Sequence, residues 1–225
     1  MPNVRLPPIL LVAFLGWLPI ECVDAAALTE QQRVELPALV ESSALSVEEA
    51  IAARRSVRQF VDRPLPDAVI SRLLWSAQGV TETTRRFRAA PSAGATYPLE
   101  LYLVDHRGVF RYLPEDHELE QVASGDRRAG LSRAALGQQM IREAPISLVI
   151  TAVPERTATR YGRMRAERYV HMEAGHAAQN IHLQAVALEL GSVPVGAFRD
   201  QQVQSVLGIR DNHEPLYIIP VGRPH

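Results

Sequence analysis

The stretch from Glu173 to Phe198, EAGHAAQNIHLQAVALELGSVPVGAF, constrains the fold more than any other part of the chain. At about 100° per residue, it places Ala174, Ala177, Ile181, Ala185 and Leu188 on one flank of a helix. Met172, Leu183, Val186 and Leu190 fall on a second flank, and a polar line of Glu173, His176, Asn180 and Gln184 runs between the two. A surface helix carries one apolar stripe, so two flanks call for burial between layers or between subunits. The alanines and Gly175 leave room for close approach. Gly191 stands where a left-handed cap ends a helix, and Ser192–Phe198 leaves as a short extended run that could offer backbone N–H groups to a ligand. On its own, the stretch reads as a core helix with an ordinary helix-to-strand turn.

Other elements follow from local patterns. Ser46 and Glu49 form a capping box that opens a helix from Val47 to about Arg54. Asp67 caps a helix over 68–78 that stops at Gly79. Residues 81–90 are polar and arginine-rich and read as a loop, and PSAGATYP (Pro91–Pro98) is turn-rich. Residues 99–104 and 109–112 read as a β-hairpin. Helices are expected near 117–123 and 128–141. Ile146–Val153 is a continuous apolar run, which implies a strand buried on both faces. Residues 163–190 are helical, Asp200 caps a helix to Leu207, and Leu216–Val221 is a second buried strand. With no regular βαβ period, the expected class is a single α+β domain with a mostly antiparallel or mixed sheet.

Composition removes several chemistries. All 24 basic residues are Arg, which excludes Schiff-base and lysine-base chemistry and leaves guanidinium forks suited to phosphate. The net charge of -1 offers no basic face for nucleic acid. Residues 1–27 read as a Sec-type signal peptide, with an apolar run over 6–20 and small residues allowing cleavage after Ala25 or Ala27, so export is expected. The lone Cys22 lies in that segment, so thiol and disulfide chemistry is excluded from a mature form. Residues 28–45 read as a linker or N-terminal arm, and 46–225 as the domain. Neither an HExxH zinc pattern, a GxSxG elbow, a GxGxxG turn nor a phosphate-loop motif is present.

A scattered anion site remains. Arg54, Arg55, Ser56 and Arg58 could clamp a phosphate through charge-assisted bonds, and Arg223 follows the last buried strand. RRSVRQF, LLWSAQGVT, APSAGATYPLELYLV, the YGRMRAERYVHMEAGH to VPVGAF stretch and the final Gly-Arg, in that order, resemble the nitroreductase superfamily. Within it they look most like the SagB or thiazole/oxazole dehydrogenase-type branch. The resemblance implies a nitroreductase-like fold in an intertwined homodimer that holds FMN at the subunit interface. It places Arg54, Arg55, Ser56, Arg58 and Arg223 at the phosphate. Pro91, Ser92, Ala93 and Gly94 fall on the segment that approaches the flavin from the partner subunit. Val195, Gly196 and Ala197 fall on the strand facing the ring and donating an N–H towards N5. Ala95 stands where many members carry Asn, and Arg160-Tyr161 stands where azoline-oxidising members carry Lys-Tyr; Tyr161 is the one candidate catalytic side chain. Trp75, Tyr97, Tyr161 and Phe198 are candidates to line an open ring face. The function implied is two-electron transfer by a ping-pong route with an unknown substrate, and NAD(P)H, a quinone or a membrane partner as donor or acceptor. A flavin-scavenging protein with little turnover, or a binding module that has lost FMN, are the alternatives.

Overall fold

In the computed structural model, residues 32–39 and 45–225 are described. The signal segment and half of the arm expected from the sequence lie outside these residues.

Seven strands form one antiparallel sheet in the order β1-β6-β5-β4-β7-β9-β8, built from β1 (Arg33–Glu35), β4 (Leu99–Val104), β5 (Gly108–Leu113), β6 (Glu118–Ser124), β7 (Ile146–Ala152), β8 (Gly191–Ser192) and β9 (Glu214–Gly222). The inner strand β7, between β4 and β9, is buried along its whole length. Leu148 and Ile150 point into a core shared with α2 (Asp67–Gln78) and α6 (Arg163–Ala187), while Val149 points into a core shared with α3 (Arg128–Ala134), α4 (Gln139–Glu143) and α7 (Asp200–Leu207). The apolar run is continuous because both of its faces are covered. Three layers result, with the sheet in the middle.

The capping box forms as expected: Ser46 Oγ accepts the Glu49 N–H at 3.2 Å and the Ser46 N–H donates to Glu49 at 2.8 Å, opening α1 (Val47–Ala53). Several expectations are corrected. Residues 118–124 are a strand, not a helix, because ELEQVAS buries Leu119 and pairs on both sides, with β5 and with β1. The supposed arm thereby supplies an edge strand. Residues 81–90 carry a small hairpin, β2 (Val80–Glu82) with β3 (Phe87–Arg88). The span 128–141 divides into α3 and α4. Asp67 and Asp200 are first helical residues, with Pro66 and Arg199 at the caps.

The end of α6 is also corrected. Glu189, at φ 59°, takes the left-handed position, and Gly191 is extended within β8. Glycine is needed there for space rather than for its φ: a Cβ on Gly191 would lie 2.5 Å from Val57 Cβ. Helix α6 is continuous for 25 residues and is separated from α5 (Glu155–Tyr161) by Gly162 at φ 77°. Its first flank is buried on the sheet, whereas Met172 is 54% exposed and a Cβ on Gly175 would meet nothing within 4 Å.

Candidate functional site

Two clusters of the expected residues sit along α6, one near His182 and one near Glu173. At the first, α1 ends with Arg54 as its cap residue. Arg55 folds back, and its guanidinium donates to the carbonyls of Ala52 at 2.9 Å and Arg54 at 2.7 Å. That guanidinium therefore serves the helix C-terminus, where carbonyls lack partners. Arg54 and Arg58 make no hydrogen bond or ion pair with their side chains among the described residues. Ser56 then bridges Ser192 in parallel, and the Val57 N–H donates to the Ser192 carbonyl at 3.0 Å. The Val61 N–H donates to the Arg223 carbonyl at 3.0 Å. The segment is thus laid along β8 and the end of β9, with Ser56 against Ser192 at one end and Phe60 and Val61 against Pro224 and Arg223 at the other.

Arg223 carries a buried Nε without a hydrogen-bond partner. A buried guanidinium donor left unpaired costs free energy unless an acceptor completes it. Below this cluster, His182 Nδ1 and Ser192 Oγ are 2.8 Å apart. Burial, with the Arg54 charge adding to it, pushes the imidazole down to about 4, so His182 is neutral and ties α6 to β8.

From there the chain runs into the expected flavin wall. Val195 exchanges both backbone hydrogen bonds with Ile218, at 2.8 and 3.0 Å. Its N–H is therefore committed to the sheet, so among the three expected positions the free backbone N–H groups are those of Gly196 and Ala197. Gly196 and Ala197 are exposed, and their N–H groups have no partner among the described residues. A Cβ on Gly196 would meet nothing within 4 Å, so the backbone presents an open face. The Ala197 carbonyl is held by Gln138 Nε2 at 3.0 Å.

The second cluster surrounds the turn after Pro91. Gly94, Ala95 and Tyr97 have φ of 60°, 52° and 43°. Positive φ at the two non-glycine residues carries strain that the surroundings must offset. Ser92 Oγ accepts the Tyr97 N–H at 2.9 Å, Arg156 donates to the Tyr97 carbonyl at 3.1 Å, and Arg160 donates to the Gly94 carbonyl at 3.1 Å. A Cβ on Gly94 would lie 2.5 Å from the Tyr161 hydroxyl. Tyr161 in turn packs edge-on against Tyr169, with ring centroids 5.1 Å apart. Pro91, Ser92, Ala93, Gly94 and Tyr161 are therefore together.

Behind this turn sits Glu173, which sequence reasoning left on a polar line. It is 2% exposed, and burial pushes its carboxyl up to about 7 despite Ser92, Arg88 and Gln78 facing it. Its position between two apolar flanks was the available signal, because a polar line there must be enclosed. Arg88 joins it, donating to Gln78 Oε1 and Glu115 Oε1, both at 3.2 Å, with its guanidinium 4.5 Å from the centroid of the Tyr97 ring.

The two clusters do not meet within one chain. Ser92 is by Glu173 and Ser192 by His182, nine residues further on, about 14 Å along the helix. The four candidate aromatics also part company: Trp75 lines an apolar groove of about 310 Å³ with Val47, Ala50 and Leu183, Tyr97 lies under Arg88, Tyr161 is on Gly94, and Phe198 packs on the second core.

Known proteins share this architecture. Residues 51–223 match the model of the Nitroreductase family. A protein of Methanocaldococcus jannaschii described as a nitroreductase is 42% identical over 200 residues, covering 86% of this chain and 98% of that one. The trifolitoxin operon protein TfxC of Rhizobium leguminosarum bv. trifolii is 24% identical over 81% of this chain, which spans 56% of TfxC. A crystal structure of a nitroreductase-like protein from Ralstonia eutropha superposes with a TM-score of 0.79 at 28% identity, covering 88% of this chain and 91% of that one. On its sequence match and on its fold, the chain belongs to the nitroreductase family.

Proposed function

We propose that this chain is an FMN-dependent oxidoreductase that works as a homodimer in the SagB-type branch of its family, exported and acting on a substrate still to be identified. The observation that carries the reading is the pairing, along β9, of the unpartnered buried Nε of Arg223 with the open backbone at Gly196. Val195 sits opposite Ile218, so five residues of strand, about 17 Å, separate the anion donor from the open face. That spacing suits a molecule with a phosphate at one end and a flat ring system at the other.

The residues present fit such a ligand. Arg54, Arg58 and Arg223 have guanidinium donors to give to a phosphate, and the Ser56 hydroxyl can add another. Arg55 supports them indirectly by holding the end of α1. The N–H groups of Gly196 and Ala197 replace Val195 as donors towards the ring edge. Bound FMN supplies hydride acceptance and donation at N5, so the protein needs neither triad nor metal. Tyr161, beside Gly94, is positioned to orient a substrate or give it a proton. Arg160 stays protonated and serves Gly94, so it does not act as a lysine-like base.

Dimerisation is supported by the separation of the two clusters, which a second copy would bring together. It is supported too by the apolar side chains left exposed, with Val47 at 65%, Ile51 at 56% and Met172 at 54%. Similarity to the trifolitoxin protein and the order of motifs favour the SagB-type branch. Export rests on the apolar run and small residues of the N-terminus.

The test is FMN titration of purified protein with flavin fluorescence as the readout. One FMN per subunit is expected, and Arg223→Ala should weaken binding roughly 10- to 100-fold, the loss of a charge-assisted bond. Photoreduced protein should then pass electrons to a quinone or a nitroaromatic. A protein that stays colourless with excess FMN would overturn the reading, and one that binds FMN but stays reduced would be a scavenger.

A further inference from the structure

Strands β4 and β5 pair from Val104 opposite Val109 to Tyr102 opposite Arg111, and the pairing stops there although both strands run on. Beside this last pair lies a cavity of about 380 Å³, lined by Tyr102, Arg111, Val122 of β6, Val153, Arg156 of α5 and the loop over 208–213 that joins α7 to β9. His213 precedes β9 and Arg223 follows it. The strand, nine residues or about 30 Å, therefore separates this cavity from the guanidinium proposed for the FMN phosphate.

The donors around the cavity outnumber their acceptors. Arg111 pairs with Glu120 at 3.0 Å, yet its Nε is buried and has no hydrogen-bond partner. Arg156 pairs with Glu100 and donates to the Tyr97 carbonyl. The Arg210 guanidinium and the Asn212 amide have neither hydrogen bond nor ion pair among the described residues. His213 Nδ1 lies 2.8 Å from Tyr102 Oη, a bond that fixes the ring at the cavity wall. Burial, with Arg156, Arg111 and Arg210 adding to it against Glu100, holds this imidazole below its ordinary range, so it adds no charge at neutral pH. Three guanidiniums against two carboxylates then leave one positive charge, which suits a monoanion. Planar guanidinium edges match a planar carboxylate, and Val122, Val153 and Ile209 give the cavity an apolar wall. An apolar wall with a few convergent donors, at this volume, is the usual form of a small-molecule site.

We propose that this cavity binds a small monocarboxylate with an apolar body, its carboxylate taken by Arg210, Asn212 and the free Nε of Arg111 and its body laid against Val122, Val153 and Ile209. The site goes beyond the function proposed above and does not rest on it. Arg156 lines the cavity and also holds the Tyr97 carbonyl, so a ligand here touches a side chain that supports the Pro91–Pro98 turn.

The probe is benzoate, followed through the ring resonances of His213 in the NMR spectrum of the purified protein at constant pH, assigned by their loss in His213→Gln. Benzoate should shift them saturably at millimolar concentration or below, whereas neutral benzamide and inorganic phosphate should each need roughly tenfold more. Arg210→Gln breaks no bond within the protein and should weaken benzoate roughly tenfold, and Arg111→Gln should do the same. Saturating FMN should leave the shift in place. No shift at His213 with millimolar benzoate, a shift that Arg210→Gln leaves unaltered, or one that FMN abolishes overturns the cavity as the site. Phosphate binding as tightly as benzoate overturns the carboxylate. Failure of FMN to bind overturns the proposed function while leaving the benzoate result to stand by itself.

Discussion

Glu173 and His182 are nine residues apart on the same helix, both buried and both ionisable, and they meet opposite treatment. His182 has Ser192 Oγ at 2.8 Å and lies against β8, which pairs with β9 and carries the Val57 segment. Its hydrogen-bond partner belongs to the sheet, so the neutral ring ties α6 to β8. Glu173 has one oxygen without a partner and a strained, partly exposed turn for a cover. Similar burial thus pushes the imidazole down near the C-terminal end of α6 and the carboxyl up in its middle. What separates them is the partners they meet, not how deep they lie: His182 Nδ1 has the Ser192 hydroxyl, whereas Glu173 Oε1 has no hydrogen-bond partner.

The largest effects expected are on stability against pH, where the two groups act with opposite sign. Glu173 has a folded pKa raised from 4.5 to about 7, so its contribution is intact below pH 4.5 and is lost as pH rises to about 7. That difference is worth on the order of 3 kcal/mol. His182 has a folded pKa lowered from 6.5 to about 4, so its contribution is intact above pH 6.5 and is lost as pH falls towards 4, again on the order of 3 kcal/mol. Between pH 4.5 and 6.5 the slopes oppose each other, and wild-type stability should be nearly level. Urea unfolding of Glu173→Gln should reveal a stability that climbs with pH through that window, and His182→Gln one that declines. Curves parallel to the wild type for both variants would abolish the contrast.

A smaller effect separates packing from charge. Gly191→Ala puts a methyl 2.5 Å from Val57 Cβ and should cost about 1 to 3 kcal/mol by thermal denaturation. It should also weaken FMN binding, because it lifts the Arg54–Arg58 segment from β8. The same variant should leave the opposite pH slopes of Glu173→Gln and His182→Gln unaltered; a changed slope would mean that the two clusters along α6 are not independent. Smallest is Ser192→Ala, which removes the hydroxyl beside His182 and should cost ~1 kcal/mol without reversing either pH slope.

Where pattern alone was read, it succeeded for elements whose signal is local. The apolar run of β7, the hairpin of β4 and β5, and the Ser46–Glu49 box are each written in a few consecutive residues. The helix expected near 117–123 is a strand, and nothing nearby in the sequence reveals that Arg33–Glu35, far back in the chain, pairs with it. The expected site residues were legible as two groups, the arginine segment with Arg223 and the turn with Tyr161. Their contents were less so. Arg55 is diverted to cap α1 and the Val195 N–H to Ile218, since a helix end and a sheet edge must satisfy their own backbone groups first.

By itself, the sequence determined the α+β class, the strand buried on both faces and the two apolar flanks of the long helix, because a continuous apolar run and a period of 3.6 record which faces are to be covered. It also removed lysine chemistry outright. Only the tertiary structure decided that Gly191 is a contact glycine rather than a cap, and that burial pushes the Glu173 carboxyl up and the His182 imidazole down. Spacing along a helix says that a side chain is enclosed, but protonation depends on neighbours brought in from Gln78, Arg88, Ser92 and Ser192, which are remote in the chain.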